Sequence, residues 1–231
     1  MDPQHLKILK EIKAHAPAKV VMWVNKSYHR NDHKYYGLKV PQKRKIARSW
    51  AKENKEIDYY KFIDTVDSLT EGKSFDEKTI AAEIVHAFPA FRSQIIPRYL
   101  DTWLARFQGW AEVDALCYGF IKSKDLFVSW RLWEGWIRRF SKHFERQKRR
   151  ASIVLLIKPV TQVKDDRLKK LAFEVIERLK IEKEDIITKA LSWLLRSMVA
   201  NYRDDVADYL EKNKDSLPPV AVRETERKLH Y

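Results

Sequence analysis

Apolar positions along this chain recur at spacings of three and four residues, a period that predicts helices nearly from end to end. Asp2-Pro3 reads as an N-cap with proline at the first helical position, and Leu6, Ile8, Leu9 and Ile12 carry a first helix to the neighbourhood of Pro17. The apolar segment Val20 to Val24, with Trp23, gives way to the polar run Asn25 to Lys34, a helix end and loop. Gly37 and Pro41 punctuate a turn, and Pro41 starts the next helix. Asp58 to Leu69 and Ser74 to Phe88 form a helix pair; the second opens on the capping box Ser74-Phe-Asp-Glu77 and is closed by Pro89. Phe91 to Phe107 is helical, interrupted or initiated at Pro97, and Gly109 separates it from a helix running from Trp110 to about Ile121.

Trp130, Trp133, Trp136, Ile137 and Phe140 then form an aromatic stripe, read as core packing, on a helix that turns cationic downstream. Ile153 to Ile157 has the length of a short strand, but the periodicity on either side favours a buried helix. Asp166 to Leu179, Lys183 to Val199, Arg203 to Asn213 and Pro219 to Leu229 complete the helices. About twelve helices with short links and no recurrent strand signal predict an all-α chain of stacked helix pairs, residues 1–231 as a single domain. No strict repeat is present. Stacked pairs curve, and a curved α-solenoid with basic segments on its concave side would cradle a duplex.

Composition narrows the partners. Only five glycines and eight prolines occur in 231 residues, too few for the tight turns of an all-β or βαβ architecture. The formal net charge of +14, from 46 Lys+Arg against 32 Asp+Glu, points to a polyanion, nucleic acid before an acidic membrane surface. Apolar runs are too short to span a bilayer and the N-terminus lacks a signal peptide's apolar core, so a soluble, intracellular protein is expected. The lone Cys117 fits a reducing compartment. His29 and His33 have i,i+4 spacing but no acidic or cysteine partner at a metal spacing apart from Asp32, and no metal is expected.

Four groups of residues carry candidate chemistry. In Trp110-Ala-Glu-Val-Asp114 a helix places Trp110 and Asp114 one turn apart on one face, an aromatic surface and a carboxylate suited to a cationic ligand. From Lys39 to Lys52 there are six Lys or Arg and no acid; a helix start backed by Lys43, Arg44 and Lys45 could hold a phosphate, and a solvated basic face is the competing reading. Arg138, Arg139, Lys142, Arg146, Lys148, Arg149 and Arg150 set seven charges against the single Glu145, and such charges repel unless an anion lies across them. Trp193 and Arg196 fall at the edge of a broad apolar helix face.

Taken in order, Gly37-Leu-Lys-Val-Pro41 with its basic helix, Trp110-Ala-Glu-Val-Asp114, Arg149-Arg-Ala-Ser-Ile153, Ala190-Leu-Ser-Trp-Leu-Leu-Arg196 and Leu217-Pro-Pro-Val-Ala-Val-Arg-Glu224 resemble the AlkD-type DNA alkylation-repair glycosylases. The resemblance runs through most of the chain. It implies HEAT-like helical repeats, and it implies that Trp110, Asp114, Arg150 and Trp193 line one cleft. The implied activity is release of cationic N3- and N7-alkylated purines from duplex DNA in base excision repair, without flipping the base, by a cytoplasmic monomer (nucleoid-associated, or nuclear in a eukaryote) that needs no cofactor. Asp114, with Trp110 and Trp193, would be catalytic. Arg150, Arg149, Lys148, Lys43, Arg44, Lys45 and Arg196 would hold the DNA. Two places depart from the family pattern: Gln147 stands where an aromatic is common, and the His29 to His33 loop looks long, so no N-terminal aromatic DNA contact is carried over. A noncatalytic helical-repeat protein that binds branched or distorted DNA is the alternative.

Overall fold

The computed structural model describes residues 1–20 and 28–230. The expected apolar segment around Trp23 therefore lies outside the described residues beyond Val20. Every named element among the described residues is a helix, and the only strand-like pairing is an isolated bridge between Lys34 and Ser74. The contacts divide the chain into two compact units, Met1–Leu116 and Cys117–Tyr231.

The first unit holds α1 (Pro3–His15), α2 (Val40–Glu53), α3 (Tyr59–Glu71), α4 (Phe75–Ala87), the single turn α5 (Pro89–Arg92), α6 (Pro97–Ala105) and the start of α7 (Trp110–Cys117). Local chemistry fixes most of these starts. The Asp2 carboxylate accepts from the Gln4 and His5 N–H groups at α1. At α4, Ser74 Oγ accepts from Glu77 N at 3.1 Å while Glu77 Oε2 accepts from Ser74 N at 2.8 Å, the reciprocal capping box. Packing then joins the elements, with α4 against α2 and α3, and α1 against all three. Phe62, Val66, Leu69, Ile80 and Ile84 are fully buried there, each such side chain worth about 1.5–3 kcal/mol relative to exposure. Pro89 does not simply end α4. The helix stops at Ala87, Phe88 links, and Pro89 opens α5.

The second unit holds α8 (Ser123–Val128), α9 (Trp130–Ser141), α10 (Arg146–Gln162), α11 (Asp166–Leu179), α12 (Asp185–Asn213) and α13 (Pro219–His230). Its centre is α10, which packs on α12, α9 and α11. Ile153 to Ile157 is buried on every side within α10, so the buried-helix reading holds over the strand. The two expected helices Lys183–Val199 and Arg203–Asn213 are one element with a break at Tyr202, whose φ of −136° and ψ of 41° are not helical. The Tyr202 hydroxyl accepts from Asp165 N at 2.9 Å and lies 3.1 Å from the Val163 carbonyl, fastening the bend to the link between α10 and α11.

Three expectations need correction. The Trp110 helix ends at Cys117, short of Ile121, because Gly119 takes a φ of +74° that a helix cannot continue through. The aromatic stripe and the cationic segment occupy two helices; α9 stops at Ser141 and α10 starts at Arg146. Of the stripe, Trp133, Ile137 and Phe140 are core, whereas Trp130 and Trp136 are half-buried at its margins.

Candidate nucleic-acid interface

In the first unit, Trp110 opens α7 and Asp114 follows one turn later, both half-buried. Trp110 is held by residues distant in sequence. Its indole N–H donates to the Tyr28 carbonyl at 2.6 Å, and its ring meets the edge of the Tyr28 ring at 5.3 Å. The His29 ring stacks on Phe75 at 4.5 Å and approaches Trp110 at 5.9 Å. Burial pushes the His29 imidazole below the usual histidine range, and the Lys43 ammonium adds to that shift. Glu112, wholly buried, completes the mount: Oε2 accepts from Gln108 N at 3.0 Å and Gly109 N at 2.7 Å, and Oε1 lies 3.0 Å from His33 Nε2. The loop whose length departs from the family pattern thus packs on the start of the Trp110 helix. Tyr28, 59% exposed, was not among the sequence candidates; only its tertiary contact with Trp110 singles it out.

The basic start of α2 divides in two. Lys43 is buried, with its ammonium 3.1 Å from Asp76 Oδ1, donating to Thr79 Oγ1 at 2.8 Å and lying 4.1 Å from the centre of the Phe75 ring. Burial lowers its pKa while Asp76 opposes the shift. Asp76 also accepts from the Tyr36 and Leu38 N–H groups, so the pair ties the Gly37 turn to α4. Lys43 therefore leaves the set of surface cations expected to meet DNA, for it is enclosed with its counter-charge. Arg44 and Lys45 are exposed, Arg44 reaching Glu83 at 3.2 Å.

In the second unit, acids within the cationic segment and from other elements pair with it, which corrects the picture of unrelieved repulsion. Arg138 pairs with Glu134 at 2.5 Å and Glu174 at 2.8 Å, and buried Lys148 with Glu145 at 3.0 Å. Arg149 pairs with Glu182 at 2.5 Å, and its guanidinium also donates to the His143 and Phe144 carbonyls at 3.0 and 2.6 Å. Arg149 is thus a clamp on the loop before α10. Arg150, 5% exposed, donates to the Ile186 carbonyl in the first turn of α12. Further along α12, half-buried Trp193 lies against the Tyr118 ring at 5.0 Å, with the Lys158 ammonium 5.2 Å from the centre of Tyr118. Arg196 is half-buried and donates to the Ser192 carbonyl at 3.2 Å. Trp110 and Asp114 share one helix face, Arg150 and Trp193 stand on neighbouring helices of the second unit, and among the described residues no group of three His, Cys, Asp or Glu is placed to hold a metal ion.

Both units are all-helical and present aromatic rings beside charged side chains at helix starts, which defines the class as an all-α protein with a cationic, aromatic surface. The sequence pattern of one such family, described as DNA alkylation repair enzyme, matches residues 8–229, and the chain belongs to that family. A solved structure described as a "Predicted DNA alkylation repair enzyme from Enterococcus faecalis" has the same fold: TM-score 0.71 at 15% identity, covering 89% of this chain and 92% of that one. No curated protein matches the sequence. No helix among the described residues is long and apolar enough to cross a membrane.

Proposed function

We propose that this member of the DNA alkylation repair enzymes is a DNA N-glycosylase that releases cationic N3- and N7-alkylated purines, such as 3-methyladenine and 7-methylguanine, from duplex DNA. The observation that carries the reading is the Trp110–Asp114 pair, one turn apart on α7 and braced by Tyr28, His29 and Glu112. A purine alkylated at N3 or N7 carries a positive charge and leaves as a neutral base, taking the electrons of the glycosidic bond. No general acid is needed for that departure. Positive charge passes to the deoxyribose, and a carboxylate stabilises such an oxocarbenium-like centre. At about 4 Å and an effective dielectric near 20, one carboxylate contributes around 4 kcal/mol, roughly a thousandfold in rate when it acts in the transition state. Water then adds to the anomeric carbon, loses a proton and leaves an abasic site.

Asp114 is assigned to the sugar, Trp110 and Trp193 offer ring faces to the sugar and the cationic base, and Arg150, Arg44, Lys45 and Arg196 meet phosphates. Phosphate contacts position a duplex without reading its sequence, so selectivity falls to the leaving group. The base stays out of any pocket in this scheme. The test is release of free base from a duplex carrying N7-methylguanine at low salt, by the parent and by Asp114→Asn. Release by the parent alone supports the assignment. Tight binding with no release by either, repeated with N3-methyladenine, sinks it in favour of a noncatalytic DNA binder.

A further inference from the structure

The loop that Arg149 clamps presents the most exposed large apolar side chain among the described residues, Phe144, at 86% exposure. Nothing in the proposed chemistry uses it. An exposed loop is ordinarily where backbone order is weakest, yet here two successive carbonyls, His143 and Phe144, both accept from Arg149, which Glu182 anchors. The His143 ring stacks on Phe144 at 4.6 Å, and His143 Nδ1 accepts from Glu145 N at 3.1 Å. The ring is held out into solvent on a fastened tip.

Its surroundings indicate what it meets. Phe144 walls a depression of about 580 Å³ lined also by Gly135, Arg138, Arg139, Lys142 and His143. Gly135 lies mid-helix in α9, where glycine is unfavourable, and a Cβ there would meet nothing within 4 Å. Helix packing does not require that glycine, and without a side chain the floor of the depression stays open to a flat ligand. Arg139 lies over Trp136 at 4.8 Å, and neither it nor Lys142 enters an ion pair among the described residues. Arg138 and Lys142 also line a second groove, about 790 Å³, that continues along α11 past Lys170 and Arg178; its acids Glu174, Glu177 and Asp205 pair with Arg138, Lys180 and Lys169, while Lys170 and Arg178 enter no ion pair among the described residues. One exposed aromatic face followed by cations at intervals is the arrangement on which unpaired nucleotides stack while their phosphates follow a basic track.

We infer that the depression between Phe144 and Gly135, with the groove along α11, is a binding site for single-stranded nucleic acid, one base stacking on Phe144 and the phosphodiesters meeting Arg139, Lys142, Lys170 and Arg178. The site lies within the second unit and goes beyond the duplex reaction. It fits the strand that a distorted duplex releases near a lesion. A phosphodiester chain with flat bases suits Arg139, Lys142, Lys170 and Arg178, the cations left after the groove's acids are paired, together with the open space over Gly135, better than an acidic peptide, which carries no base to stack on Phe144.

The test titrates the full chain against a fluorescein-labelled 12-residue oligothymidylate by anisotropy, with Phe144→Ala, Phe144→Trp, Gly135→Leu and the double variant Arg139→Ser/Lys142→Ser. Alanine substitution of a stacking ring weakens binding by roughly 5- to 150-fold. Phe144→Ala should fall in that range, Phe144→Trp should restore binding, Gly135→Leu should weaken it, and the double variant should flatten its salt dependence. A bromodeoxyuridine oligomer should crosslink to the peptide carrying Phe144. Affinity of Phe144→Ala within twofold of the parent, or polyglutamate binding with the same dependence on Phe144, overturns the inference. Base release from the N7-methylguanine duplex is read on the same samples. Release unchanged in Phe144→Ala separates the two sites, release lost in step with single-strand binding overturns a separate site, and a parent without release sinks the glycosylase reading alone.

Discussion

The Trp110 indole N–H and the Tyr28 carbonyl, 82 positions apart in the chain, are joined at 2.6 Å, and that bond sets the angle at which Trp110 leaves the start of α7. Trp110→Phe keeps an aromatic face and removes the donor. The bond is partly solvated, so its loss should cost about 1 kcal/mol of stability, and base release should fall because the ring is no longer held at its angle. Release at the parental rate, with urea unfolding unchanged, would show that the bond orients nothing.

Gly109 is required by the next carbonyl of the same segment, that of His29. A Cβ at this position would stand 2.0 Å from the His29 carbonyl oxygen, backbone that cannot swing aside as a side chain can. Gly109→Ala should therefore destabilise by about 1–3 kcal/mol and lower Tm by several degrees. A Tm equal to the parent's would mean that the His29 to His33 loop leaves α7 without cost.

What the sequence made legible was local. Asp2-Pro3 and Ser74-Phe-Asp-Glu77 name the starts of α1 and α4 because capping chemistry lies within four residues, and the period from Asp166 to Leu179 is that of α11. The break at Tyr202 was visible as two apolar patterns even though the backbone runs on. Of the site, the Trp110–Asp114 geometry follows from helical spacing alone. The rest depends on pairs the sequence does not bring together: Lys43 finds Asp76, Arg149 finds Glu182, and Tyr28 finds Trp110. A basic run shows its charge but not which side chains are turned inward to a carboxylate.

That difference can be measured on α2. Lys43→Ala leaves Asp76 buried without its cation and should cost about 3–5 kcal/mol, seen as a large drop in the urea midpoint. Arg44→Ala and Lys45→Ala, at exposed positions, should leave that midpoint within about 0.5 kcal/mol of the parent. If they face DNA, each should reduce the slope of log affinity against log salt by about 0.9. Equal stability in all three variants would contradict the burial of Lys43, and unchanged slopes would remove Arg44 and Lys45 from the interface.

His29 makes stability depend on pH with a definite sign. Its folded pKa lies below the unfolded value of about 6.5, because of burial first and Lys43 second. Between the two values the unfolded chain binds more protons than the folded one, so stability rises with pH through that window and is lost as pH falls through it. His29→Phe retains a ring against Phe75 and cannot be protonated. The loss of stability between pH 7 and pH 5, followed by urea unfolding, should be smaller in the variant. An identical loss in both proteins would place the acid sensitivity elsewhere.

Arg150 needs a test that separates holding the fold from holding DNA, since it is both buried and charged. Its guanidinium donates to the Ile186 carbonyl, and hydrogen bonds from charged donors are worth roughly 1.5–3 kcal/mol, so Arg150→Ala should be less stable by about 2 kcal/mol whatever it does for DNA. Stability alone decides nothing. Counterion release does, because a folded variant lacking one phosphate contact should lose about 0.9 from the slope of log affinity against log salt. Arg150→Lys keeps the charge but loses the planar fork, so it should recover the slope while recovering only part of the stability. A parental slope in Arg150→Ala, at a temperature where the variant is fully folded, would leave Arg150 as a brace between α10 and α12, and the phosphate contact would have to come from another side chain.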